Sequence, residues 1–272
     1  MKNLLHNIPF WMILVLTMAG VQSCADDTPE LSQAEVSFTV TLPADARSRS
    51  FGDAEQVNTL VVGVFDEQKL VEIYRQSFTI TGTTVDFQLT LARNQTYNLV
   101  FWAHKDNQDI YKIDDLTAIQ MKALPNPITF DQAEARDAFF AIKENMTVTG
   151  NRNYSIELVR PLAQINIGTT GTHMYAQLTA ADAPDTFHPF INTVSGEADF
   201  TWKFNETTTE TFSADGQEYK YLGVGYLFAP PVTAKSIEVE LTLTDGIDIA
   251  REFKFPQVEI KANHRSNLIG HI

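Results

Sequence analysis

The chain alternates polar and apolar residues over segments long enough to form strands. Residues 35–42 read Glu-Val-Ser-Phe-Thr-Val-Thr-Leu, and residues 84–91 repeat the alternation. A period of two residues places successive side chains on opposite faces of a strand, so both segments are predicted to be half-buried strands. Runs rich in β-branched and aromatic residues predict further strands at 60–65, 96–103, 154–159, 162–167, 219–228 and 236–244.

Signals for helices are few. Residues 114–123 begin with an aspartate that suits a helix cap and are predicted to form a short helix, and residues 173–181 are predicted to form another. Asp245-Gly246 predicts a hairpin turn into a further strand. Many short strands with few helices predict an all-β fold made of sandwiches rather than an α/β fold.

The length of the chain predicts two sandwiches in tandem. The sequence has 272 residues, which suffice for one large or two medium domains with well-formed cores. Pro161 cannot donate a hydrogen bond to a β-ladder and therefore marks the start or the edge of a strand. We predict an N-terminal β-sandwich domain at residues 35–159 and a C-terminal one at residues 160–272.

The first residues predict a lipoprotein signal peptide at 1–23. Lys2 supplies a positive charge, Phe10 to Ala19 form a nearly unbroken apolar run, and small residues lead to Cys24, the only cysteine. The run is shorter than the roughly 20 residues of a membrane-spanning helix but fits a signal peptide. A lipoprotein signal requires a cysteine at the first mature position, because its sulfur receives the lipid. We therefore predict acylation of Cys24 and no transmembrane span; secretion with an incidental cysteine is the alternative.

The residues after Cys24 predict the outer membrane as the destination. Ala25 is not a residue that retains lipoproteins in the inner membrane, and Asp26-Asp27 lie in an acidic tether at 24–34. The tether looks like the tract that sends Bacteroidetes-type lipoproteins to the cell surface. An acyl chain supplies membrane affinity without a spanning helix. We expect a protein that is held by outer-membrane lipid and exposed at the cell surface.

Charge and cysteine content exclude several classes of function. A formal net charge of −14 repels phosphate backbones, so no nucleic-acid partner is expected. A single cysteine permits neither an internal disulfide nor a cysteine-based zinc site. Stability has to come from apolar burial, for which the chain has 18 Phe, 8 Tyr and 3 Trp.

The residues that carry chemistry elsewhere form no catalytic or metal-binding motif here. The histidines show no ligand spacing, and no G-x-S-x-G is present. Residues 106–109 are rich in Asp and Asn but lack the glycine and the terminal acid of a calcium loop. Arg136-Asp137 and Arg160 stand beside apolar runs, which favours a salt bridge or strand-end hydrogen bonds over the alternative of a catalytic role. We predict no enzyme activity, no cofactor and no metal.

Four stretches together resemble a known family. They are residues 97–103, 136–140, 158–168 and 263–270. In this order they look like the fimbrillin-like surface lipoproteins of Bacteroidetes, and more narrowly like an uncharacterised subfamily of major-fimbrial-subunit-like proteins. The resemblance covers the mature chain from about Glu35. It implies two transthyretin-like β-sandwich domains and a role as a structural subunit or surface adhesin, with other fimbrial subunits as partners.

The resemblance also implies a route of assembly. In the polymerising relatives, an arginine-specific protease cuts after an early loop, and a strand of the next subunit replaces the freed first strand. Here residues 35–42 correspond to that strand, and Arg47 and Arg49 are the candidate cleavage sites. A solvated loop with two ordinary arginines is the alternative. Because no further alternating strand follows the closing motif, an anchor, a cap or a non-polymerising lipoprotein is expected as readily as a shaft subunit.

The alternative function is that of a surface glycan-binding module. Trp202, close in sequence to Phe200 and Phe204, is predicted to be either core or a platform for sugar stacking, and Trp102 is predicted to be core. Glycan capture requires two or three exposed aromatic side chains on one face. A hydrolase has the least support, since no nucleophile, base and oxyanion donor can be named together.

Overall fold

The structure is a computed structural model that describes residues 32–43, 51–106, 110–123, 126–171, 174–245 and 249–271. Within these ranges it has twenty strands, one α-helix and two 3-10 turns. The helix α1 spans Phe130–Glu134, between β8 and β9. The strands are β1 (Gln33–Thr41), β2 (Thr59–Asp66), β3 (Lys69–Leu70), β4 (Gln76–Thr79), β5 (Thr84–Ala92), β6 (Thr96–His104), β7 (Tyr111–Lys112), β8 (Ile119–Met121), β9 (Phe139–Thr147), β10 (Arg152–Glu157), β11 (Leu162–Thr169), β12 (Tyr175–Ala183), β13 (Thr186–His188), β14 (Thr193–Ser195), β15 (Ala198–Phe204), β16 (Thr211–Ala214), β17 (Gln217–Phe228), β18 (Lys235–Thr244), β19 (Ile249–Ile260) and β20 (Arg265–Gly270).

The prediction of an all-β sandwich fold is confirmed. Each segment predicted from alternation or from β-branched runs contains a strand, and β18 pairs with β19 in the antiparallel sense on either side of the predicted Asp245-Gly246 turn. The strand β1 shows the expected alternation of burial, with Val36, Phe38 and Val40 buried on one face.

Both helix predictions were wrong. In the first segment, the Asp115 side chain accepts a hydrogen bond from the backbone N–H of Thr117 at 2.8 Å, which closes a turn, and β8 follows. In the second segment, β12 begins at Tyr175 and buries alternate residues such as Leu178. Its alanines favour a helix locally, but pairing with β15 and β18 on both sides decides the outcome.

The N-terminal sandwich consists of two sheets around one apolar core. One sheet has the order β10-β1-β5, and the other has the order β3-β2-β6-β9, with β4 also paired to β2. The core between them collects inward side chains from both sheets, including Phe38, Leu60, Leu99 and Phe139. The side chains on the inward faces of these strands are apolar because the two sheets pack against each other there.

A second apolar core lies on the other face of the β2-β6-β9 sheet. Val61, Trp102 and Phe140 point into it, so that this sheet is buried on both faces and its strands read as continuous apolar runs. The same core contains the inward faces of two further sheets, ordered β16-β17-β11-β20 and β15-β12-β18-β19. A small sheet of order β14-β13-β8-β7 also contributes.

Residues 33–272 form one compact unit with these two cores. The second core draws residues from both sides of position 160, including Trp102 and Tyr226. The boundary between domains at residues 35–159 and 160–272 therefore stays a prediction.

The two sandwiches share one local arrangement of strands. The strand β1 lies between an antiparallel neighbour, β5, and a parallel neighbour, β10. The strand β11 lies in the same way between antiparallel β17 and parallel β20. In each case the first strand of a sandwich is held by a later strand that runs in the same direction.

Candidate strand-exchange site

The strand β1 is paired along both edges. Its register with β5 runs without a break from Gln33 opposite Ala92 to Thr41 opposite Thr84. Its register with β10 runs from Val36 to Thr41. Beyond the strand itself, the Leu42 N–H donates to the Thr83 carbonyl at 2.8 Å, which extends the ladder by one residue. Because β1 lies between β5 and β10, its removal would leave the facing edges of both strands without hydrogen-bond partners.

The inward face of β1 fills an apolar groove. Val36, Phe38, Val40 and Leu42 are at most 5% exposed. Phe38 lies at the centre, where its ring packs against three other rings. These are Phe87 and Tyr154, which stack on it at centroid distances of 5.2 and 5.7 Å, and Phe101, tilted at 5.7 Å.

The outward face of β1 carries hydroxyl groups that bond to β5. The Thr39 hydroxyl donates to Asp86 Oδ1 at 2.5 Å, and Gln88 Nε2 donates to the Ser37 hydroxyl at 3.2 Å. These cross-strand pairs are exposed and hold β1 through polar contacts as well as apolar ones.

Side chains of neighbouring loops fix the start of β1. Arg93 Nε donates to the Gln33 carbonyl at 2.9 Å. Asn151 Oδ1 accepts a hydrogen bond from the Glu35 N–H at 3.1 Å. The start of β1 is therefore held by side chains as well as by its ladder hydrogen bonds.

The predicted sites of processing lie outside the described residues. Arg47 and Arg49 fall in 44–50, and Cys24 falls in 1–31 together with the signal peptide and most of the tether. Cleavage after either arginine and acylation of the cysteine stay predictions.

The chain after residues 44–50 enters the second core at Phe51, which Gly52 follows. The Phe51 ring stacks on Phe130 at 5.5 Å and meets Tyr221 edge-on at 4.8 Å. Gly52 has a φ of +76°, and a Cβ placed there would lie 2.6 Å from Gln164 Oε1. The left-handed backbone favours glycine here, and a Cβ would force the Gln164 side chain to shift.

Two charged side chains hold the backbone of Gly52. Its N–H donates to Glu134 Oε1 at 2.6 Å, and its carbonyl accepts from Arg160 Nη2 at 2.6 Å. Glu134 also accepts from the Tyr226 hydroxyl at 2.7 Å, and Arg160 forms an ion pair with Asp137. We call Gly52, Glu134, Asp137, Arg160 and Tyr226 the Gly52 clamp.

The helix α1 places Glu134 in the clamp. Thr129 Oγ1 accepts from the Gln132 N–H at 3.1 Å, and Gln132 Oε1 accepts from the Thr129 N–H at 2.9 Å, which is a capping box. The cap starts a helix of only five residues, Phe130–Glu134. This helix was not predicted, although the Thr-x-x-Gln spacing of Thr129 and Gln132 is a signal for a helix start.

Burial changes the protonation of Glu134. Loss of solvation raises the pKa of its carboxyl group to about 8, with a further contribution from the charge of Asp137. The hydrogen bonds from Tyr226 and Gly52 act in the opposite direction but are smaller. The folded protein therefore binds the Glu134 proton more tightly than the unfolded chain does.

Arg160 stays charged in spite of its burial. Burial lowers the pKa of its guanidinium group, but the charge and hydrogen bonds of Asp137 outweigh this and raise the pKa above its usual value. The guanidinium group also lies over the Phe139 ring at 4.8 Å. The predicted salt bridge is thus confirmed for Arg160 and Asp137.

Arg136 does not share this role. Its Nη2 donates to the Lys122 carbonyl at 2.8 Å, and its guanidinium group lies over the rings of Phe200 and Trp202 at 5.5 and 5.7 Å. Burial lowers the pKa of Arg136 to about 10. Trp202 is 1% exposed, so it belongs to the core and not to a surface platform for sugars.

Trp102 is buried as predicted, with no exposed surface. Among the described residues, Phe253 is the one aromatic side chain that is exposed, at 39%. It lies beside Phe255 at an apolar cleft of about 130 Å³ between β19 and β20. No group of aromatic rings on one exposed face is seen in this part of the chain.

The chain matches one family along most of its length. Residues 28–272 match the family of unknown function DUF6562. The chain belongs to this family. No curated protein matches it.

Solved structures resemble this member of DUF6562. A candidate cell adhesion protein from Bacteroides ovatus has 11% identity and a TM-score of 0.50 over 88% of this chain and 92% of that one. A fimbrial assembly protein from Parabacteroides distasonis has 16% identity and a TM-score of 0.47 over 87% and 91%. A C-terminally truncated tip fimbrial protein from Porphyromonas gingivalis has 14% identity and a TM-score of 0.47 over 84% and 82%. The predicted resemblance to Bacteroidetes fimbrillin-like proteins is confirmed at the level of the fold.

Two further observations concern the described ranges of the DUF6562 chain. Within them, no helix has the length and apolar character that crossing a membrane takes. The same ranges contain no group of three or more His, Cys, Asp or Glu side chains that could hold a metal ion. Residues 107–109, which belong to the possible calcium loop, lie outside the described residues.

Proposed function

We propose that this DUF6562 protein is a cell-surface lipoprotein that acts as a fimbrial or fimbrillin-like structural subunit or adhesin. Acylated Cys24 would attach it to the outer membrane. The observation that carries the proposal is the placement of β1. It is the first described strand, it fills a groove between β5 and β10, and it is followed by residues 44–50, which contain Arg47 and Arg49.

Exchange of β1 provides a mechanism of assembly. A cut after Arg47 or Arg49 would separate β1 from the rest of the chain and leave it held by non-covalent contacts alone. Its departure would expose the apolar groove and the edges of β5 and β10. A strand of another subunit would restore both the hydrogen bonds and the buried face, which favours its binding.

The Gly52 clamp supports this mechanism from the other side of the loop. Phe51 and Gly52 are held in the second core and not in the β1 groove. A cut in the loop would therefore leave the new N-terminus docked in the second core, while β1 stays with the first. The same arrangement suits a shaft subunit, an anchor or a cap.

Treatment of the purified full-length protein with an arginine-specific protease tests this function. We expect cleavage between residues 44 and 50, followed by multimers that resist mild denaturant on a gel. The matched control is the double variant Arg47→Lys, Arg49→Lys, which keeps the charge but offers this protease no site in the loop. Wild-type protein that is cut between residues 44 and 50, stays monomeric and keeps β1 bound in mild denaturant would contradict strand exchange.

A surface glycan-binding module is the alternative, and the geometry favours it less. Trp202 is buried, and Phe253 is the single exposed aromatic side chain of the described residues. Selective binding to glycan arrays, lost in Phe253→Ala, would support the alternative over the structural role.

A further inference from the structure

We propose that the β1 groove selects its occupant by one aromatic residue: the strand it accepts places a phenyl ring at the position of Phe38, with hydroxyl side chains at the positions of Ser37 and Thr39. The inference rests on the proposed function, because it presumes that another strand enters this groove. The strand that enters is expected to carry an apolar, an aromatic and a second apolar residue at three successive inward positions.

The groove contains one pocket made of aromatic rings. Its walls are Phe87 of β5 and Tyr154 of β10, which face Phe38 in the two registers, and its floor is Phe101 of the opposite sheet. We call these three residues the aromatic pocket. All three rings lie within 5.7 Å of the Phe38 ring, centroid to centroid. Aromatic pairs at such distances add stabilisation beyond the burial of area.

The walls of the aromatic pocket are themselves held in place. Phe87 stacks on Phe78 of β4 at 4.1 Å, and the ammonium group of Lys143 lies over the Tyr154 ring at 5.1 Å. The pocket therefore has neighbours that keep its shape when Phe38 leaves. A preformed pocket of fixed shape discriminates between side chains better than one that collapses.

The remaining positions in the groove discriminate less. Val36 lies opposite Leu89, and Val40 lies opposite Val85. Aliphatic side chains of different shape replace one another at such sites at a low cost in stability. The position of Phe38 is therefore the one at which a wrong residue costs most.

The outer face of the groove adds a second criterion. Asp86 accepts the hydrogen bond of Thr39, and Gln88 donates to Ser37. An acidic residue at the position of Thr39 would meet the Asp86 carboxylate across the strands, which is unfavourable. In a chain with a net charge of −14, this repulsion rejects acidic segments as occupants.

The two registers also define a direction for the occupant. The groove is antiparallel on the β5 side and parallel on the β10 side, so an occupant that keeps both hydrogen-bond registers runs as β1 does.

The chain offers a natural control for these criteria. Residues 84–92 have the same apolar, aromatic, apolar series, Val85, Phe87 and Leu89, but place Asp86 and Gln88 where β1 has hydroxyl side chains. A peptide of this sequence keeps the ring and lacks the hydroxyl groups.

The test uses full-length protein cut in the loop 44–50, either at its arginines or at a site for another protease introduced there. The cut protein is exposed to mild denaturant with labelled peptides, and their binding is followed by fluorescence anisotropy. The peptide of residues 33–43 is expected to bind. Its Phe38→Ala variant is expected to bind about 100-fold more weakly or worse, and its Phe38→Leu and Val40→Ala variants each about tenfold more weakly. The peptide of residues 84–92 is expected to bind more weakly than the native one.

The outcomes separate the two proposals. Equal losses for Phe38→Ala and Val40→Ala, or full binding by Phe38→Leu, would overturn selection by the aromatic pocket while strand exchange stands. Failure of the unaltered 33–43 peptide to bind a cut protein that has lost β1 would overturn strand exchange and the selection rule with it.

Discussion

Arg160 and Asp137 form a two-pronged ion pair in which neither partner contacts solvent to any extent. Nε lies 2.7 Å from Oδ1 and Nη2 lies 2.8 Å from Oδ2, and the side chains are 2% and 0% exposed. Planar, bidentate geometry of this kind is the strongest form of such a pair. The same guanidinium group donates to the Gly52 carbonyl. The pair therefore connects the segment that follows residues 44–50 to the segment that follows β10.

Loss of Asp137 should be costly because it leaves a buried charge without a partner. We expect Asp137→Ala to lower the free energy of unfolding by about 3–5 kcal/mol, as measured by urea denaturation. The control is Glu240→Ala, which removes an exposed partner of Lys254 and should change stability little. A small effect of Asp137→Ala, similar to that of the control, would contradict the role assigned to the ion pair.

Burial of Glu134 should make the free energy of unfolding depend on pH. Its pKa of about 8 in the folded protein lies above the usual value of 4.5, so the folded state binds the proton more tightly than the unfolded state. The stabilisation is complete below pH 4.5 and is lost as the pH rises through 8. The difference in unfolding free energy between wild type and Glu134→Gln should therefore decrease with pH in this window, by at most about 1.4 kcal/mol per pH unit.

Urea denaturation of both proteins at several pH values between 5 and 9 checks this, because the subtraction removes the contribution of titrating groups that do not interact with Glu134, including buried His104. A difference that stays constant across the range would show that Glu134 is ionised in the folded protein.

Acylation of Cys24 is expected to anchor the protein. Cys24→Ala should abolish labelling by a fatty-acid analogue and move the protein from the membrane fraction to the soluble fraction, because a single acylated residue supplies the membrane affinity. Ser23→Ala keeps a small residue before the cysteine and is expected to remain labelled. Continued labelling of Cys24→Ala would exclude this residue as the site.

The sequence predicted the strands well and the contacts between distant segments poorly. Alternation along β1 and β5 identifies their inward faces, because it depends on neighbours in sequence alone. Residues 173–181 were predicted to form a helix, and pairing of β12 with β15 and β18 overrides any such local preference. The local sequence pattern is enough to identify a strand that is half-buried. Where the local preference is weak, pairing with other strands determines the secondary structure.

At the candidate site, too, local features could be predicted and contacts between distant segments could not. Arg160 and Asp137 stood out in the sequence as charges beside apolar runs, and the structure pairs them. Glu134, Tyr226 and Gly52 were not predicted, because they meet from segments up to 174 positions apart and each is ordinary in its local sequence. Gly52 carried one signal, a glycine after a loop, but a glycine alone does not tell a turn from a clamp.

The requirement for glycine at position 52 gives a test of the Gly52 clamp. Gly52 and Gly216 have the same φ of +76°, but a Cβ at Gly52 would lie 2.6 Å from Gln164 Oε1, while a Cβ at Gly216 would meet nothing within 4 Å. Gly216→Ala should therefore cost only the backbone strain, about 1–2 kcal/mol. Gly52→Ala should cost more, since the added Cβ also clashes with Gln164 Oε1 beside the clamp, and hydrogen exchange at residues 51–54 should accelerate. If the two variants lose equal stability and exchange at 51–54 is unchanged, the clamp does not hold this segment.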